Sequence, residues 1–162
     1  MRQKSAGDME FSELLKPEAV KVLNSASSKK RLMQDISDLS AQVYDLNADV
    51  VLDAMLAREA LGPTGVGHGI ALPHARLNDL DSVLGVFVLL DKPIDFGSVD
   101  RQPVDIAFAL FAPEDAGVDH LKALALVSRT LRDASVCTKL RANRNAATLY
   151  TILTSAEAEQ AA

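Results

Sequence analysis

Apolar positions change period twice along the chain. Leu32, Met33, Ile36, Leu39 and Val43 fall on one helical face, with Lys29, Lys30, Asp35 and Asp38 opposite. That spacing predicts an amphipathic helix of about four to five turns, started by Ser27 or Ser28. A second helix, capped by Asn47 or Asp49, buries Val51, Leu52, Met55 and Leu56, and Gly62 reads as the residue just past its end. Ahead of both, residues 11–23 read as a short helical or irregular segment interrupted before Pro17. The helical period then disappears. Residues 83–90 (VLGVFVLL) and 104–111 (VDIAFALF) are apolar at nearly every position, as in central strands covered on both faces. Asp105 is the polar exception. Asp91-Lys92-Pro93 breaks the first run, Ile94 to Phe96 reads as an edge strand or loop, and residues 100–103 form a turn. Residues 70–72 are a short strand ending at Pro73. After a loop over 113–117, helical spacing returns, with Leu121, Leu124, Ala125, Ser128 and Leu131 on one face and His120 in the first turn. Two more helices follow over 133–140 and 145–153, the last with Leu149, Ile152 and Leu153 apolar.

Early helices, a central group of buried strands and late helices predict a single α/β domain, a mixed sheet of about five strands sandwiched between helices. The short connections around 91–103 allow antiparallel neighbours. The domain is expected over 9–155, with a flexible arm at 1–8 and an Ala/Glu/Gln-rich tail at 156–162 that frays.

Composition narrows the classes of function. At 162 residues the chain suffices for one real core. A net charge of −5 opposes nucleic-acid binding by phosphate neutralisation, and 4% aromatics without Trp leaves no base-stacking platform. The single cysteine, Cys137, lies at helical spacing beside Val136 and Leu140 and reads as a half-buried structural thiol suited to a reducing compartment. No apolar run approaches the roughly 18 residues of a membrane span, and residues 1–8 lack a signal-peptide core. The expectation is a cytoplasmic protein without membrane insertion.

Candidate chemistry concentrates in residues 58–76, REALGPTGVGHGIALPHAR. Gly62, Gly65, Gly67 and Gly69 permit positive φ and close backbone approach. No glycine precedes Lys as Walker A requires, and Gly65, Gly67 and Gly69 follow a helix and precede a strand, the reverse of a dinucleotide loop. His68, His74 and His120 lack a zinc motif and paired cysteines, so no metal is expected. No G-x-S-x-G is present. Histidine itself remains as nucleophile, since a neutral imidazole nitrogen can attack phosphorus and hold an N–P adduct. Such a site needs backbone N–H groups and cations for the phosphoryl oxygens, an orienting partner for the ring, and shallow access for a protein donor. The glycine loop (Gly65, Gly67, Gly69), Arg58, Arg76 and a second histidine meet these needs in kind. Arg58, in the last turn of a helix, is equally well placed as a simple C-terminal charge.

The segment R58-E-x-L-G-x-T-G-V-G-x-G-I-A-L-P-H74, followed by LGVFVLL, Q102-P-V-D-I-x-F-A-L and H120-L, resembles the enzyme IIA domains of the bacterial phosphotransferase system. The likeness is to the fructose/mannitol superfamily and within it to the nitrogen-regulatory type, over residues 11–154. It implies His74 as the phosphorylated histidine, His120 as the second active-site histidine and Arg58 as the arginine stabilising phosphoryl charge. It implies a mixed five-stranded sheet with helices on both faces. The donor would be an HPr-like phosphocarrier charged by an enzyme I, with regulated target proteins such as kinases or transporters and no cofactor. Arg76 is read as rim of the docking surface. A sugar-specific enzyme IIA passing phosphate to an enzyme IIB, and a binding module without transfer, are the alternatives; the chain length, with no room for a fused transport domain, favours the nitrogen type. Three positions depart from the pattern. His68 stands where Asn is frequent and reads as a loop residue, Pro63 replaces a usual Ser, and Ala75 follows the histidine where Gly is common, which would be strained at positive φ.

Overall fold

The computed structural model describes residues 9–161; the arm at 1–8 lies outside them, as do the side chains beyond Ala156. Helix α1 (Phe11–Leu14) and a 3-10 turn (Pro17–Ala19) lead into β1 (Val20–Leu23). Helices α2 (Lys29–Tyr44) and α3 (Ala48–Glu59) come next, then β2 (Gly65–Gly67), β3 (Ile70–Ala71), β4 (His74–Leu77), β5 (Leu84–Ile94) and β6 (Val104–Pro113). Three helices close the chain: α4 (Val118–Arg132), α5 (Ala134–Arg141) and α6 (Ala146–Ala161). Among the described residues the sheet has six strands in the order β1-β5-β6-β3-β2, with β4 also paired to β6. It is mixed: β5 and β6 are antiparallel, while β1 on β5 and β3 and β4 on β6 are parallel.

The sixth strand has a simple origin. Ile70 pairs with Ile106 and His74 with Leu110, the same register offset, so β3 and β4 are two halves of one strand laid along β6. They are interrupted at Leu72-Pro73, where Pro73 has no N–H to give, though its carbonyl still accepts from Leu110. The sheet is therefore five strands wide. Val86 to Leu90 and Ile106 to Ala112 are buried without alternation, so helices cover both faces. Helices α2 and α3 pack together, on β5 and β4; α1, α4 and α6 pack on β5, β6 and β1. The apolar stripe of α2 is as the spacing requires, with Leu32, Met33, Ile36 and Leu39 buried and Ser28 accepting from the Arg31 N–H as cap. Asn47 caps α3 through Val50 N–H.

Four local expectations are corrected. β1 forms at the end of a segment expected to be helical or irregular, because parallel pairing with Phe87 to Leu90 of the buried β5 recruits it. The strand from residue 84 runs on through Asp91-Lys92-Pro93 to Ile94, with its ladder to β6 lapsing between Leu89 and Ile94. Helix α3 ends on the cap Ala60, so Gly62 is not its closing residue. In α4 the buried face is His120, Ala123, Leu126, Val127, Thr130 and Leu131, while Leu121 is 66% exposed. Both faces are apolar by composition, and the one carrying His120 turns inward. Ala75 is buried in β4 opposite Phe111 and is not among the residues of positive φ, which removes the strain that glycine would have avoided. The backbone of α6 is helical through Ala161, and Ala156 is buried.

Candidate active site

Three elements meet at His74. It opens β4 immediately after the Pro73 interruption. Arg58 reaches it from the last turn of α3, and His120 from the first turn of α4. The side chains sequence reading expected together are together: Arg58 Nε lies 3.2 Å from His74 Nε2, and the His74 and His120 rings stand edge to face with centroids 5.6 Å apart.

Both ring nitrogens of His74 have assigned roles. Nδ1 lies 2.9 Å from the Leu72 carbonyl, which can only accept, so Nδ1 carries the proton. Nε2 faces a guanidinium N–H, which can only donate, so Nε2 presents its lone pair. Two independent contacts thus agree on one neutral tautomer. The Arg58 guanidinium is itself fixed, because Nη1 donates to the Gly62 carbonyl at 2.9 Å. A backbone carbonyl without sequence signature therefore aims the arginine, and another aims the histidine.

His120 is 6% exposed, and its Nε2 has no hydrogen-bond partner among the described residues. Burial pushes its pKa below the ordinary imidazole value, and the neighbouring His74 and Arg76 add to the shift. Helix α4 starts at Gly117 with no side-chain cap, which leaves its first turn favourable to an anion.

Arg76 lies two residues along β4 from His74, on the same strand face. It is exposed, and Nη1 donates to the Glu114 carbonyl at 2.8 Å, tying the strand to the loop before α4. The three glycines are used differently. A Cβ on Gly65 would sit 2.2 Å from Ser98 Oγ, so Gly65 permits close packing of β2 on the β5–β6 connection. Gly67 packs toward Asp100. Gly69 has φ +81 and leaves room for the Arg141 guanidinium, which a Cβ would meet at 2.6 Å. None of these neighbours is Arg58, His74 or His120.

His68 belongs to this second cluster. Its N–H donates to Asp100 Oδ2 and its carbonyl accepts from Arg141 Nη2, holding φ at 57°, a left-handed conformation that Asn and His tolerate better than most residues. Arg141 in turn makes a two-point ion pair with Asp105, the polar exception in β6. His68, Leu72, Leu131, Cys137 and Arg141 line a cleft of about 570 Å³ that includes none of the three central residues. Among the described residues no three His, Cys, Asp or Glu side chains converge as a metal site, and no helix is long and apolar enough to cross a membrane.

Comparison with known proteins places the chain in a family. Residues 13–156 match the family model for the phosphoenolpyruvate-dependent sugar phosphotransferase system, EIIA 2. The chain is 46% identical over 145 residues to a nitrogen regulatory protein of Bradyrhizobium diazoefficiens, covering 90% of this chain and 95% of that one. It is 42% identical over 150 residues to a nitrogen regulatory protein of Escherichia coli, covering 92% of each. Among solved structures it superposes on nitrogen regulatory protein IIA-Ntr from Neisseria meningitidis with a TM-score of 0.82 at 32% identity, covering 89% of this chain and 99% of that one. The chain belongs to the EIIA 2 family of the phosphoenolpyruvate-dependent sugar phosphotransferase system, and within it to the nitrogen-regulatory type.

Proposed function

We propose that the protein accepts a phosphoryl group on Nε2 of His74 from the phosphohistidine of an HPr-like carrier, and binds regulated partners according to its phosphorylation state. The observation that carries this reading is the paired assignment of the His74 nitrogens: the proton on Nδ1 is held by Leu72, and the lone pair on Nε2 faces Arg58. The Nε2 lone pair forms a bond to phosphorus while the donor N–P bond breaks and returns its electron pair to the donor nitrogen. No proton leaves His74. The ring becomes cationic as the phosphoryl group arrives, and the Nδ1–H bond to a carbonyl strengthens against that charge.

Arg58 hands its hydrogen bond from Nε2 to a phosphoryl oxygen. His120, neutral and with a buried free Nε2, donates to a second oxygen in its Nε2–H tautomer. Leu61, Val118 and Leu121 are exposed beside Arg58 and His120 in sequence, an apolar rim suited to a protein donor. Arg76 adds a cation to that rim. The phosphoryl oxygens carry close to two negative charges and the ring one positive charge, a net change of about one negative charge at this surface, enough to exclude or recruit a partner without a change of fold. Incubation with phosphoenolpyruvate, enzyme I and the carrier should add about 80 Da in acid-labile form. An adduct that persists in His74→Ala would refute the assignment.

A further inference from the structure

We propose that Lys29, Glu59 and Thr64 form a positioning clamp that sets the partners of both ring nitrogens of His74. The inference rests on the assignment of His74 as phosphoryl acceptor and Arg58 as its cation. Glu59 follows Arg58 at the end of α3, yet its side chain is only 7% exposed. A buried carboxylate persists only where donors surround it, and Glu59 has three. Oε1 accepts from the Thr64 backbone N–H at 2.9 Å and from Lys29 Nζ at 2.5 Å. Oε2 accepts from the Thr64 hydroxyl at 2.5 Å. Lys29, the first residue of α2, also lies over the fully buried Phe96 ring at 4.6 Å. The clamp thus joins the start of α2, the end of α3, the following loop and the β5–β6 connection.

From Thr64 two routes lead to His74. Along the first, the Thr64 carbonyl accepts from Leu72 N–H at 2.9 Å, and the Leu72 carbonyl accepts from His74 Nδ1. Along the second, closing residues 59 to 64 through Glu59 and Thr64 fixes the Gly62 carbonyl between them. That carbonyl holds Arg58 Nη1, whose Nε meets His74 Nε2. One carboxylate therefore governs which nitrogen keeps the proton and where the cation stands. A site of this kind loses rate when its supports loosen by an ångström or less.

The test uses Thr64→Val, which keeps shape and backbone groups but deletes the hydroxyl, and Thr64→Ser, which restores it. Two readouts apply to each: the His74 ring tautomer by 15N NMR of the unphosphorylated protein, and the rate of phosphoryl transfer from the phosphorylated carrier with its binding affinity measured separately. We expect Thr64→Val to give a mixture of His74 tautomers and a transfer rate lower by about tenfold, with carrier affinity unchanged and Thr64→Ser near wild type on both. Lys29→Gln, which perturbs the same carboxylate from its half-exposed side, serves where Thr64→Val does not fold, with a smaller change of the same sign. A folded Thr64→Val with the wild-type tautomer overturns the clamp, whatever its rate; so does Thr64→Ser no better than Thr64→Val. If wild type accepts no phosphoryl group, the function assigned to His74 fails, and the tautomer readout still decides the clamp.

Discussion

Arg58→Gln separates the catalytic part of the site from its stability. In the folded protein Arg58 makes two bonds, Nη1 to the Gly62 carbonyl at 2.9 Å and Nε to His74 Nε2 at 3.2 Å. The first is charge-assisted and would contribute about 1.5–3 kcal/mol if fully buried. Arg58 is only part-buried, so solvent screening reduces this to about 1 kcal/mol, a fall in Tm of roughly 2–4 °C for a domain of this size. The second bond contributes little to the resting protein but becomes a donor to the phosphoryl group in transit. Loss of one such donor lowers the chemical step by about 10²–10³-fold, or about 2.7–4 kcal/mol. Single-turnover transfer from phosphorylated carrier, followed by quench and intact mass, gives the rate; thermal unfolding gives the stability. Arg58→Lys keeps the charge but offers a point donor that cannot serve Gly62 and the phosphoryl group in one geometry, so its rate should fall between the two, about tenfold below wild type. An Arg58→Gln rate within about threefold of wild type would refute the role given to the guanidinium.

Other outcomes follow from the packing and the buried polar groups. Gly65→Ala drives a methyl into Ser98, whose Oγ would lie 2.2 Å away; we expect a loss of about 1–3 kcal/mol in denaturant unfolding, partly recovered by Ser98→Gly in the same chain, since the Cα at 3.0 Å stays. Thr130 Oγ1 is fully buried without a partner among the described residues, so Thr130→Val should raise stability by about 1 kcal/mol. For His120, the folded pKa lies below the unfolded value near 6.5. Above about pH 6.5 the ring is neutral in both states and stability is fully present. As pH falls, the unfolded chain takes the proton first, so stability is lost down to the folded pKa. His120→Asn should flatten that slope in urea titrations between pH 5 and 8, and an unchanged slope would contradict the shift.

The strands that carry the sheet were legible because β5 and β6 are continuous apolar runs, and α2 because its cap and stripe agree. β4 was not, since His-Ala-Arg-Leu has no strand signature and exists by pairing with β6. The buried face of α4 was misread because Leu121 and Leu124 offer as good an apolar stripe as Ala123 and Val127. The choice between them is made by His120 turning toward His74, a contact 46 residues apart in sequence. The Arg58, His74 and His120 triad was readable through a motif. The parts that orient it were not: the Gly62 and Leu72 carbonyls belong to the backbone, which any residue supplies. The glycines drew attention as a cradle, and a Cβ on them would meet Ser98, Asp100 and Arg141, a packing role that spacing did not reveal.

The central claim is that Nε2 of His74 is the atom that takes phosphorus. Protein labelled with 15N in its histidine rings, phosphorylated by carrier and examined by 15N–31P coupling, tests it directly. A single coupling at Nε2 of His74, with the Nδ1 proton retained and no adduct in His74→Ala, is the predicted result. Coupling at Nδ1, or at the ring of His120 or His68, would contradict it.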